Sequence, residues 1–264
     1  MALSDKLDGF KSMWRFDNRW QLVLSRLLFR DNGLNVYCIN GMRILIDHHA
    51  GDESGTRLAI VSPMYRQFLP QMTLPTPANV LDLGGNGGGF PLMLELSGVK
   101  LKKVAAVEFN PFTFARMRFN LEKNLKCDLL PLNAAITGES KTLEMHFNEG
   151  GTADSLYGDD KKSGIGRLVR IQGMTFNELY EAAFKSEVID ICKMDVEGAE
   201  HEVFDHPHHE AVKKCRYLIM EIHPWQGKPP ETILNKLASY GFEEMPRTLA
   251  DEQDVYFLRN KTLS

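Results

Sequence analysis

Residues 79–90, NVLDLGGNGGGF, constrain this chain more than any other stretch. Val80, Leu81 and Leu83 form the short apolar run of a buried strand, with Asp82 at its end. Gly84, Gly85, Gly87, Gly88 and Gly89 follow, with Asn86 among them. PLMLELSG then reads as a helix, Pro91 in its first turn and Gly98 past its end. Glycine takes positive φ freely and lets a ligand reach the amides at a helix N-terminus without a Cβ in the way. A phosphate loop is excluded, because no lysine follows. The dinucleotide pattern G-x-G-x-x-G also fails, its last glycine falling on Phe90 or Leu92. What fits is Asp-x-Gly-x-Asn-x-Gly, carried by Asp82, Gly84, Asn86 and Gly88. A carboxylate beside that turn suits a ligand with a cationic end and repels a pyrophosphate. About 20 residues on, AAVEFNP puts Glu108 at the end of a second apolar strand, where an acid accepts hydrogen bonds from ribose hydroxyls.

Two further strands end in chemistry. VIDICKMDVEGAE reads as a buried parallel strand that surfaces at Asp195, with Glu197 and Gly198 in the turn. Glu200 opens the next helix near its positive end; a purely structural reading makes it a helix-start carboxylate with Lys193 as counter-ion. YLIMEIHP does the same with Glu221 and His223. Acids at the ends of buried strands are costly unless used, and open α/β sheets keep their sites at those ends.

In DLGGNGGG (82–89), VEFNP (107–111), KMDVEGAE (193–200) and MEIHP (220–224) the chain resembles the FkbM-type S-adenosylmethionine-dependent methyltransferases, over roughly residues 79–259. The resemblance implies a class I methyltransferase fold: an α/β, Rossmann-like seven-stranded sheet with helices on both faces. It implies methyl transfer, commonly to a hydroxyl oxygen. S-adenosyl-L-methionine is then expected against Asp82, Gly84, Gly85, Asn86, Gly87, Gly88, Glu108, Phe109, Asn110, Asn133 and Ala134, with Ser155 near it. Asp195, Glu197, Glu221 and His223 become the catalytic candidates. Methyl transfer needs acceptor, methyl and sulfur in line, and a base for the acceptor proton. His223 can be that base near neutral pH. The three acids can hold acceptor hydroxyls, act as base, or bind a divalent ion through oxygen. A metal-free route is expected, since no spacing shows a ligand set.

Composition bounds the rest. The 264 residues suffice for one large domain with an appendage, and 43% hydrophobic with 25% charged residues is ordinary for a globular chain. The net charge of −4 argues against a dedicated nucleic-acid or anionic-membrane surface. Cys38, Cys127, Cys192 and Cys215 form no C-x-x-C pair, which excludes a disulfide framework or zinc site. Asp5 and Asp8 near the start speak against a signal peptide, and no apolar run could span a bilayer. A reducing cytoplasm is the expected compartment.

Residues 1–77 read as an N-terminal cap of helices and a hairpin, and 78–264 as the cofactor-binding domain. DNRWQLVLSRLLFR (17–30) has helical apolar spacing. Asn40-Gly41 between two apolar runs signals a hairpin, and a second helix is expected around residues 58–69. Asp47, His48, His49, Asp52 and Glu53 are expected to form a polar loop rather than a metal site. His206, His208 and His209 read as a solvated turn, and Trp14, Phe16 and Trp20 as packing. The cap and the long loop at 150–166 would set the acceptor. The leading expectation is an O-methyltransferase acting on a small molecule or sugar, without nucleic-acid or membrane partners. The alternatives are an NAD(P)-binding oxidoreductase, disfavoured by the failed glycine pattern, and a non-catalytic binding module, disfavoured by the intact strand-end acids and His223.

Overall fold

The computed structural model describes residues 12–29, 31–147, 167–223, 225, 227–247 and 254–263. The expectations for the 150–166 loop and Ser155 lie outside these residues.

Among the described residues, helix α1 (Arg19–Leu28) precedes the hairpin β1 (Leu34–Ile39) and β2 (Met42–Asp47). Asn40 at φ 48° and Gly41 at φ 82° make the two-residue turn that Asn-Gly favours, with Ile39 paired to Met42. A short helix, α2 (Leu58–Val61), leads to β3 (Ala78–Leu83), α3 (Gly89–Leu96), β4 (Leu101–Glu108), α4 (Pro111–Asn124) and β5 (Asp128–Ile136). Then come β6 (Lys141–Phe147), β7 (Arg167–Met174), α5 (Phe176–Ala183), β8 (Ile189–Met194) and α6 (Glu200–Asp205). The remaining elements are β9 (Cys215–Glu221), α7 (Glu231–Ser239), β10 (Phe242–Glu244) and β11 (Val255–Asn260).

Nine strands form one sheet in the order β10-β11-β9-β8-β3-β4-β5-β7-β6. The expected seven-stranded sheet runs from β10 to β5, and β7 and β6 widen it at one edge. β3 and β8 are buried along their whole length, which is why they read as apolar runs rather than as alternations. Their residues still divide by face. Val80 and Ile191 enter a core with α3, α4 and the cap residues Phe16, Leu22 and Phe68. Leu81 and Cys192 enter a second core with α5, α6 and α7. The first core joins cap and sheet without a break.

The hairpin sits on α4 through two asparagines one turn apart. Asn120 accepts from Leu45 N–H (2.7 Å) and donates to the Leu45 carbonyl (2.9 Å). Asn124 does the same for Arg43 (2.8 and 2.9 Å). Below them Asp52 is fully buried and takes both Nε and Nη2 of Arg116, at 2.6 and 2.8 Å. Within the expected polar loop at 47–53, Asp52 and Glu53 are thus tied into ion pairs rather than left in solvent. Glu53 gathers His48, Arg57 and Arg26; burial opposes its charge, but the His48 hydrogen bond and the two arginines hold its carboxyl down at about 2.

Two other expectations are corrected. The helix expected around 58–69 stops at Val61, because Pro63 drives Ser62 into an extended conformation (ψ 161°); only a 3-10 segment resumes at Arg66–Gln71. His209 is buried against Phe204 and Tyr240, with Tyr240 Oη 3.0 Å from Nε2, instead of lying in solvent. Phe16 packs in the core, whereas Trp14 and Trp20 pack edge to face on each other at the surface.

Candidate active site

The carboxyl ends of β3, β4, β5, β8 and β9 open into one cavity of about 460 Å³. Its walls include Gly84, Gly85, Asn86, Glu108, Phe109, Asn110, Ala134, Lys193, Asp195, Glu197 and Glu221, and the cap adds Ser54, Gly55 and Tyr65.

The turn after β3 is shaped by contact with β8. Gly84 has φ +73°, and a Cβ there would lie 1.7 Å from the Asp195 carbonyl oxygen, so only glycine fits. Gly84 and Gly85 N–H both donate to the Val107 carbonyl (3.0 and 2.8 Å), which fastens the turn to β4. The turn's other side belongs to the cap. Thr56 accepts from Gly87 N–H (2.9 Å) and donates to Asn86 Oδ1 (2.7 Å). Gly87 lies against Thr56, and Gly88 against Leu121 and Met117; neither lines the cavity.

Glu108 lies under the turn, with Asn86 N–H donating to Oε2 (3.0 Å) and Asn110 N–H to Oε1 (2.8 Å). Burial lifts its pKa to about 7 despite those two amides. Asn110 also caps α4, accepting from Phe112 and Thr113 N–H. Asn133 is not in the cavity wall: its amide donates to the Glu108 and Phe109 carbonyls (2.8 and 3.0 Å) and holds that corner from behind.

Asp82 is fully buried behind the glycines, and neither carboxylate oxygen has a hydrogen-bond partner. Lys193 Nζ stands 3.6 Å from it, 3.4 Å from Asp195 and 2.6 Å from the Gly84 carbonyl, to which it donates. Burial works against the charge on Lys193, yet Asp195 and Asp82 outweigh it and keep the ammonium charged. Lys193 thus pairs with these two acids, which sets aside the purely structural reading of it as the counter-ion of Glu200.

Glu200 instead holds His223. Its Oε1 accepts from Val196 N–H (3.1 Å) and lies 3.1 Å from His223 Nδ1. His223 Nε2 is 3.6 Å from both Glu197 and Glu221. The Glu200 hydrogen bond, above all, lifts the imidazole to about 9 against burial. Burial and then the charge of Asp195 lift Glu221 to about 7. Glu197, at φ +52° in the β8–α6 turn, is raised for the same two reasons. Parallel pairing of β8 with β9, Met194 beside Met220, brings these residues together as their strand positions implied. Among the described residues one group could hold a metal: Asp195, Glu197 and His223 offer ligand atoms within 4.8 Å of one another. Thr56, Glu200 and Tyr65 were not singled out as site residues. Only Glu200 carried a signal, its place in the KMDVEGAE turn.

A mostly parallel sheet of this order, with a glycine turn after its central strand and an acid closing the next, defines a Rossmann-like methyltransferase fold. The FkbM methyltransferase domain model matches residues 82–244, more than half of the chain. The chain belongs to that family. No curated protein matches it. Among solved structures it is similar to a methyltransferase FkbM from Methylobacillus flagellatus KT at 11% identity, covering 72% of this chain and 45% of that one, with a TM-score of 0.49. It is also similar to M. capricolum TrmK in complex with S-adenosyl-homocysteine, at 12% identity, 76% and 70% coverage and a TM-score of 0.44. An rRNA methylase from Streptococcus thermophilus aligns at 13% identity, 74% and 92% coverage and a TM-score of 0.40. The chain spans less than half of the first of these. No helix among the described residues is long and apolar enough to cross a membrane.

Proposed function

We propose that this methyltransferase transfers the methyl group of S-adenosyl-L-methionine to a hydroxyl oxygen of a small molecule or sugar. The observation that carries the reading is the presence in one cavity of Glu108 beside the glycine turn and Glu221, a carboxyl tuned to about 7. The residues present fit the donor. Gly84, Gly85 and Asn86 line the cavity beside Glu108, and each Glu108 oxygen holds one amide and retains a lone pair for a ribose hydroxyl. Gly84, Gly85 and Asn86 would flank the amino-acid end, and Phe109, Asn110 and Ala134 the base. When bound, the donor supplies a methyl group already activated on a sulfonium.

The protein then has two tasks, alignment and proton removal. Glu221 is the better base. His223 carries its proton at neutral pH, and its Nδ1 is engaged by Glu200, so it steadies the charge on Glu221 and Glu197 instead of accepting a proton. Asp195 and Glu197 accept hydrogen bonds from acceptor hydroxyls and orient them. Four carboxylates and one ammonium among the cavity residues favour a hydroxyl-rich acceptor over a phosphate backbone. Calorimetric titration tests the donor: S-adenosylmethionine and S-adenosylhomocysteine should bind and NAD should not. Binding of NAD alone would make the chain an oxidoreductase. Abolition of turnover by a chelator, with recovery in Mg²⁺, would make Asp195, Glu197 and His223 metal ligands.

A further inference from the structure

Helix α1 enters the core through Leu22, with Val23 packed beside it, and leaves its longer apolar stripe facing outward. Residues 20, 24, 27 and 28 share one helical face, and Leu22, Ser25 and Arg26 share the opposite one. Trp20, Leu24, Leu27 and Leu28 are 62, 55, 61 and 69% exposed, whereas Leu22 is 2% exposed. Ser25 donates to Asn35 Oδ1 (2.7 Å), and Arg26 pairs with Glu53 (2.9 Å). These inward contacts fix the rotation of the helix, so the apolar face cannot turn into the core. Phe29, just beyond the helix, is 64% exposed as well.

Charge selects the occupant. α1 contains no acid; its Arg26 is paired with Glu53, which leaves Arg19 on the helix, and Arg15 and Asp17 are exposed just before it. Arg19 lies over the Trp14 ring at 5.8 Å, and Trp14 meets Trp20 edge to face at 4.9 Å. The first 31 residues hold six Lys and Arg against four Asp, while the chain as a whole is at −4, so positive charge is concentrated at this end. A second copy of the same helix would bring arginines to arginines. An apolar face rimmed by arginine and tryptophan matches the boundary between acyl chains and anionic headgroups.

We propose that the outer face of α1 docks this protein on an anionic lipid surface, with Trp20, Leu24, Leu27 and Leu28 entering the headgroup boundary and Arg15 and Arg19 meeting the phosphates. The net charge of −4 argues against such a surface only because it averages a basic end with an acidic remainder. The docking face lies outside the methyl-transfer pocket and stands independently of that reading.

The test is co-sedimentation of the full chain with vesicles of two parts phosphatidylcholine to one part phosphatidylglycerol, beside vesicles of phosphatidylcholine alone. Binding to the anionic vesicles should be at least about tenfold tighter and should weaken with salt. The double variant Leu24→Glu, Leu28→Glu should lose it while keeping the parent unfolding temperature, because both side chains are exposed. Failure to bind anionic vesicles would overturn the proposal. So would self-association, seen by sedimentation velocity and removed by the same variant, which would make the face an interface between copies.

Discussion

A carboxyl lifted to about 7 by burial, as Glu221 is, is half ionised at neutral pH and accepts a proton readily. Glu221→Gln should therefore lower kcat by roughly 10²–10⁴ while leaving donor affinity in place. The rate should rise with pH through about 7 as Glu221 ionises and fall above about 9 as His223 loses its charge. Stability should respond too. Glu108 and Glu221 hold more protons folded than at their ordinary value of 4.5, so their ionisation opposes folding as pH rises from 4.5 to about 7. His223, raised from 6.5 to about 9, contributes fully below 6.5, and its contribution disappears as pH passes 9. The unfolding temperature should thus fall steadily from pH 5 to 9 in calorimetry, and His223→Ala should flatten the limb above 6.5. On the donor side, Glu108→Ala should weaken S-adenosylhomocysteine binding by roughly 1.5–3 kcal/mol by titration; unchanged affinity in a folded variant would remove Glu108 from the site. The strand-end acids were legible because a buried apolar run that closes on Asp195 or Glu221 carries a desolvation cost that folding alone does not reward. The capture of His223 by Glu200 was not, since it links the turn after β8 to the end of β9 and local pattern carries no such pairing.

Between elements, polar pairs remote in sequence govern. Asp52 and Arg116 join the cap to α4 with both partners buried. Asp52→Ala leaves the guanidinium without a counter-charge and should cost about 3–5 kcal/mol in denaturant unfolding. A loss within about 0.5 kcal/mol, as at ordinary surface positions, would show the pair to be incidental. The hairpin was readable because Asn40-Gly41 dictates its own turn. The docking of that hairpin was not, because Asn120 and Asn124 look like any asparagines on a helix until β2 is beside them. The helix expected over 58–69 failed for a local reason, Pro63, which outweighed the apolar spacing around it.

Across the molecule, β3, β4, β8 and β9 could be placed from apolar runs that end in glycine or acid. The widening by β7 and β6 depends on pairing across the sheet edge, which periodicity does not encode. The same limit applies to α1. A stripe of apolar residues every three or four positions declares a helix with two faces; which face turns outward is decided by Ser25 and Arg26 and their distant partners. Lys193 Nζ, between Asp82 and Asp195, is the one ammonium among the residues lining a cavity whose other charged groups are carboxylates. On the proposed chemistry the donor arrives with a net positive charge and leaves without it. Titration at low salt should therefore find S-adenosylmethionine bound more tightly than S-adenosylhomocysteine, with the gap narrowing as salt is added. On that chemistry the carboxylates would steady the sulfonium and not the neutral thioether, so the reaction itself would loosen its product and clear the pocket for the next turnover.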